Sequence, residues 1–185
     1  MRKLLQYGGI VASVILIAIG IGAIYSGFSG RSQVRTDLAA EQIVGTDDST
    51  IPGQLVDTGS EAQAFAAVMR RHTLEATKGQ TYSQMGQYLD AKGNPTSDKA
   101  VAAIDPQTKK PVANQARQIW VTETALTTAL NTAYFAERVA TFAIVMGFAL
   151  LLSGIGFTVL TLGALVPAAR RRSGRAPIAP AVPVA

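Results

Sequence analysis

Charged and apolar positions are segregated along this chain rather than interleaved. No charged side chain occurs from Val139 to Ala169, and the run is bracketed by Arg138 and by Arg170, Arg171, Arg172 and Arg175. An α-helix rises about 1.5 Å per residue and roughly 20 apolar residues cross the hydrocarbon core of a bilayer, so this run spans with residues to spare. A second apolar run, Tyr7 to Tyr25, follows Arg2 and Lys3. Tyr7, Tyr25 and Phe28 flank it, where rings with a polar edge favour a membrane interface. The pattern predicts an all-α membrane protein with transmembrane helices over 7–28 and 138–166. Residues 29–137 form a polar segment between them, 1–6 a short N-terminal flank, and 167–185 a basic, then Pro/Ala-rich, tail.

Helical periodicity dominates the intervening segment. Val34, Leu38 and Ile43 make an apolar stripe from Ser32 to Val44, with Gly45 suited to the left-handed cap that ends a helix. Turn formers fill Thr46 to Gly59. Ser60 and Gln63 have the spacing of a capping box, opening a helix to about Thr77 that Gly79 terminates. Tyr82, Met85, Tyr88 and Leu89 suggest one short helix, and Ser97 to Ile104 another, separated by turn sequences ending at Pro95 and Pro111. From Asn114 no Gly or Pro interrupts the chain until Gly147. One helix from about Asn114 to about Val166 is therefore expected, its first half a stalk around which a small helical cap gathers.

Charge sharpens the topology. All twelve acidic residues lie between Asp37 and Glu137, so the net charge of +5 arises from the flanks, Arg2 and Lys3 at one end and four arginines at the other. Basic residues beside a span bias that side toward the cytoplasm. Four arginines follow the second span, against Arg117 and Arg138 before it. Around the first span Arg2 and Lys3 are matched by Arg31 and Arg35, so the second span decides: both termini cytoplasmic, residues 29–137 extracytoplasmic, in the plasma membrane. A cleaved signal peptide is the alternative for the first run, but its 19 apolar residues exceed an ordinary signal core and Ser26 to Arg31 is a weak cleavage site. Basic residues placed beside spans indicate lipid as their contact, not nucleic acid.

Small residues recur every four positions in the first span, at Ala18, Gly22, Ser26 and Gly30, giving a face on which a second helix backbone can approach closely. Gly147 and Gly154, with Ala143, Ser153, Gly156 and Gly163, offer the matching surface in the second span. Neither apolar run contains an Asp, Glu, Lys, Arg or His, which argues against a channel, pump or proton carrier.

Little else carries chemistry. The absence of cysteine excludes disulfides, thiolate catalysis and thiolate metal sites. His72 and Glu75 share a helix face at ligand-pair spacing, but a zinc or iron site wants at least three such ligands, and His72 is the only histidine. Asp47, Asp48, Ser49 and Thr50 lack the alternation and distal Glu of a calcium loop and read as a solvated turn. No metal or other cofactor is expected.

Four strings carry a resemblance: Ile43-Val44-Gly45-Thr46, Asp57-Thr58-Gly59-Ser60-Glu61-Ala62, Met69-Arg70-x-His72-x-Leu74-Glu75-Ala76-Thr77, and the run from Ile119 to Asn131. Together they resemble a family of actinobacterial two-span membrane proteins, over about Val34 to Leu160. Such proteins often carry the label of an aromatic ring-opening dioxygenase subunit. The residues here contradict that label, since those enzymes bind iron through several His and carboxylate ligands. The resemblance implies a shared motif set, Asp57, Ser60, Glu61, Arg70, His72, Glu75, Trp120, Glu123 and Asn131, forming either one buried polar network or a partner surface. The expectation is a non-enzymatic integral membrane protein, an accessory or assembly component of a larger membrane or envelope complex, touching the lipid bilayer and a membrane-protein partner or further copies of itself. The competing expectation is an extracytoplasmic sensor, or a module binding a small ligand or metal near His72.

Overall fold

The computed structural model describes residues 2–173, with side chains described over 7–163; the Pro/Ala-rich tail expected at Ala176 to Ala185 lies outside the described residues. The chain is mostly helical: α1 is Arg2–Ala40, α2 is Gly59–Ala76 and α3 is Ala116–Ser173. Two short strands, β1 (Tyr88–Leu89) and β2 (Pro95–Thr96), pair antiparallel between α2 and α3. The chain divides into two compact units, Met1–Ser29 with Ala140–Ala185, and Gly30–Val139. Among the described residues two helices are long and apolar enough to cross a membrane.

In the first unit α1 and α3 run antiparallel along a seam of small residues. Ser13, Gly20 and Gly27 are buried in α1, and Ala140, Gly147 and Gly154 in α3. Backbones touch: a β-carbon on Gly20 would lie 2.8 Å from the Gly147 carbonyl oxygen, one on Gly27 2.7 Å from that of Ala140, and one on Gly154 3.0 Å from that of Ser13. Each set repeats every seven residues, the 3.5-residue period of two helices supercoiling left-handedly. The sequence expectation of a four-residue face is thus corrected on α1. Ala18 and Ser26 are exposed, and a β-carbon on Gly22 would meet nothing within 4 Å. Gly147 and Gly154 do lie in the seam. Large apolar side chains point outward instead, Val14 61% exposed, Ile21 55%, Phe142 65% and Leu160 71%.

The second unit holds the conventional core. Leu38 from α1, Ala62, Phe65 and Ala66 from α2, and Leu130 from α3 bury against Val56, with Val34, Ile43, Met69 and Leu126 packed around them. Several expectations change here. α1 continues unbroken to Ala40 instead of ending near Phe28 and restarting at Ser32, because Gly27 and Gly30 keep helical geometry. The left-handed residue after it is Gln42 (φ 53°), not Gly45, which packs on the Ile51 carbonyl and pairs with Gln54 and Gly53 across the Val44–Leu55 bridge. α2 is opened by Thr58 and Glu61, two residues before the expected Ser60 and Gln63. Gly79 (φ 77°) follows its end as anticipated, its N–H returning to the Leu74 carbonyl.

The strictly all-α expectation fails between Gly86 and Gln115. No helix forms at Tyr82 to Leu89 or at Ser97 to Ile104. Leu89 donates to the Val112 carbonyl and accepts from Ala103, while Val112 donates to Ala103, a lattice of β-bridges closed by turns at Asp90 and Asp105. Each aspartate accepts two backbone N–H groups of its own turn, which favours the turn over helix. Asn114 ends this lobe: its side chain donates to the Gly86 carbonyl and accepts from Ala116 N at the start of α3.

Candidate functional site

Glu137 is a buried charge of the second unit on which several contacts converge. It is 8% exposed on α3, and both carboxylate oxygens are occupied. One accepts the Gly59 N–H at 2.6 Å. The other accepts Arg31 Nε at 2.8 Å and Arg35 Nε at 3.3 Å, both from α1. Three helices therefore converge on one carboxylate. Gly59 is the first residue of α2, so its N–H is one of the orphan donors of a helix N-terminus, where a negative charge is favoured. Glycine is required there, because a β-carbon would sit 2.8 Å from Glu137 Oε2 and 2.9 Å from Tyr134 Cα. Burial alone would raise the Glu137 carboxyl; the Gly59 N–H and the guanidiniums of Arg31 and Arg35 outweigh it and hold it below its ordinary value.

A second cluster ties the 46–59 loop to α2. The Asp48 carboxylate receives Arg71 and, at 2.7 Å, His72 Nε2, and Arg71 also donates to the Asp48 carbonyl at 2.9 Å. The Thr46 hydroxyl, His72 and Arg71 together hold Asp48 well below the usual carboxylate range. These side chains are between 38% and 50% exposed, so the cluster anchors a surface loop and is worth little in stability.

The nine motif residues are distributed over separate contacts rather than gathered into one network. Asp57 and Glu61 meet at the α2 N-terminus, where Glu61 Oε2 accepts from Asp57 N at 3.0 Å and Thr58 N at 2.9 Å; Ser60 is exposed beside them. Arg70 lies over the Trp120 ring at 5.4 Å, and Trp120 Nε1 donates to the Gln80 carbonyl at 3.0 Å. His72 joins Asp48, and Glu75 sits 4.0 Å from Arg71. Glu123 is buried on α3 with the Thr124 hydroxyl at 3.3 Å, and Asn131 is exposed. Sequence reasoning missed the Glu137 cluster, treating Arg31 and Arg35 as topology charges and Glu137 as a boundary. The available signal was the i, i+4 spacing of the two arginines opposite the last acid before a charge-free run. Among the described residues no group of three or more His, Cys, Asp or Glu is placed to hold a metal ion.

Fold and clusters together define a mostly helical chain with two candidate membrane spans and a three-helix unit fastened on a buried carboxylate. No family model matches it, and comparison with the curated proteins and with solved structures yields no match.

Proposed function

We propose that this chain is a non-enzymatic, two-span protein of the plasma membrane that serves as an accessory or assembly component of a larger membrane or envelope complex. Both termini lie in the cytoplasm and residues 29–137 outside it. The observation that carries the reading is the inverted character of the helix pair. A soluble antiparallel pair buries its large apolar side chains and exposes small and polar ones. Here Gly, Ala and Ser line the seam, with Ile17, Ile24 and Ile144 packing on its glycines, while Val14, Ile21, Phe142, Leu160 and other large apolar side chains face outward, the arrangement favoured where the solvent is lipid. Orientation rests on the arginines after the second span. Arg31 and Arg35, which oppose that bias in a simple count, are offset in part by Glu137, whose one carboxylate contacts both.

The accessory role rests on what the external unit offers. Its Glu137, Glu61 and Asp48 carboxylates hold helices and loops together, and its motif residues at the surface, Asp57, Ser60, Arg70, Glu75 and Asn131, lie on or beside helices joined by the clamp. Polar groups fixed on packed helices in this way suit protein contact better than turnover. Mild detergent extraction and affinity purification of the tagged chain, followed by identification of subunits, tests this. Stoichiometric co-purification of other membrane subunits is expected; recovery as a clean monomer or homo-oligomer under the mildest conditions overturns the accessory role.

A further inference from the structure

The Glu137 cluster is not balanced in charge. Two guanidiniums meet a single carboxylate oxygen, the other oxygen is taken by Gly59, and the Arg31 and Arg35 side chains remain 40% and 45% exposed. Arg138, the next residue of α3, lies over the Tyr134 ring at 5.0 Å and is exposed to solvent. Arg31 and Arg35 exceed the single Glu137 charge by one, and Arg138, next to Glu137 in sequence, adds a second positive charge on the same turn of α3. Arg31 directly follows the charge-free run of α1 and Arg138 directly precedes that of α3. Along both helices this charge therefore sits where the apolar stretch begins.

We propose that Arg31, Arg35 and Arg138 bind the phosphate of an anionic phospholipid at the extracytoplasmic face of the membrane; this rests on the two-span reading above. A phosphodiester shares one negative charge between two non-bridging oxygens, which match the fork of a guanidinium; phosphatidylcholine offsets that charge with its own quaternary ammonium, whereas phosphatidylglycerol keeps a net negative charge, so the excess positive charge here favours the latter. Both Glu137 carboxylate oxygens already accept hydrogen bonds, and the incoming phosphate meets guanidinium N–H groups that Glu137 does not use. Tyr134 holds Arg138 by cation–π stacking without neutralising it. A single-chain lysine would supply charge without the bidentate geometry, so Arg138→Lys is the informative conservative change.

The full-length protein in neutral detergent, titrated with phosphatidylglycerol or with phosphatidylcholine and read by native mass spectrometry, tests the site. The wild type is expected to retain one phosphatidylglycerol and to prefer it over phosphatidylcholine by at least about 5-fold, the factor that one basic residue near an anionic surface contributes. Arg138→Gln, which lies outside the carboxylate contacts and leaves the fold intact, should lose most of that preference, with Arg138→Lys intermediate. Equal retention of the two lipids, or full preference in Arg138→Gln, overturns the proposal. Displacement of phosphatidylglycerol by millimolar inorganic phosphate would also overturn it, assigning the site to free phosphate. Carbonate extraction separates the two readings: a protein released from membranes refutes the spans themselves, whereas an integral protein without lipid preference refutes only this site.

Discussion

Glu137→Ala removes the acceptor on which three helices converge. The Gly59 N–H, now 2.6 Å from a carboxylate oxygen, would be left buried and unpaired, at a cost of about 1–3 kcal/mol. Loss of the two arginine contacts adds less, about 0.5 kcal/mol each, because both side chains are 40–45% exposed. The expected destabilisation is therefore about 2–4 kcal/mol, or a fall in Tm of about 10–20 °C for a unit of this size. Glu137→Gln keeps an oxygen for Gly59 and loses the ion pairs, so about 1 kcal/mol is expected. The single tryptophan, Trp120, is buried in the same unit and reports its unfolding by fluorescence in detergent. The reasoning is refuted if Glu137→Ala unfolds within about 0.5 kcal/mol of the wild type, the scatter of an ordinary surface change.

Three further outcomes follow from other parts of the structure. Gly147→Leu should disrupt the helix pair by about 1–3 kcal/mol, because even a β-carbon would lie 2.8 Å from the Gly20 carbonyl, whereas Gly22→Leu, with nothing within 4 Å, should be neutral; a reversed order in thermal or SDS unfolding would restore the four-residue face. Thr58→Ala should cost about 1 kcal/mol through loss of the capping box, and Ser60→Ala almost nothing, as measured by denaturation of the same protein; equal effects would contradict the observed start of α2. Glu137, Glu61 and Asp48 all have folded-state values lowered from the ordinary one, so their contribution is fully present above the unfolded-state pKa and is lost as pH falls through the folded one. Stability of the Gly30–Val139 unit should accordingly hold from neutral pH to about 4.5 and decline below it, with a shallower decline in Glu137→Gln; a wild-type profile rising below pH 4 would contradict the clamp.

Much of this architecture was legible in the sequence for a simple reason: the absence of charge over tens of residues is a one-dimensional signal. The continuity of α3 was likewise local, since no helix breaker occurs between Asn114 and Gly147. The seam was misread on α1 because small residues recur at both four and seven positions there. Only the partner helix decides between them, by placing Gly147 against Gly20 rather than Gly22. The β-lobe was missed because its strands are two residues long and show no alternation; it is held by backbone pairing among Leu89, Ala103 and Val112 and by aspartate-capped turns. The Glu137 clamp joins residues 78 and 106 positions apart, a separation at which no local pattern speaks. The capping error was smaller: Thr58 and Ser60 both have a carboxylate or amide three residues on, and the Val56 core contact favours the earlier start.

The central claim is that two inverted helices cross the membrane and hold residues 29–137 outside. Because the chain has no cysteine, single substitutions report position without background. Lys92→Cys lies in an exposed turn of the β-lobe, and Ser173→Cys at the far end of α3. With a membrane-impermeant maleimide on intact cells, Lys92→Cys should label at once and Ser173→Cys only after lysis. Labelling of Ser173→Cys in intact cells with protection of Lys92→Cys, or free labelling of both, would contradict the account.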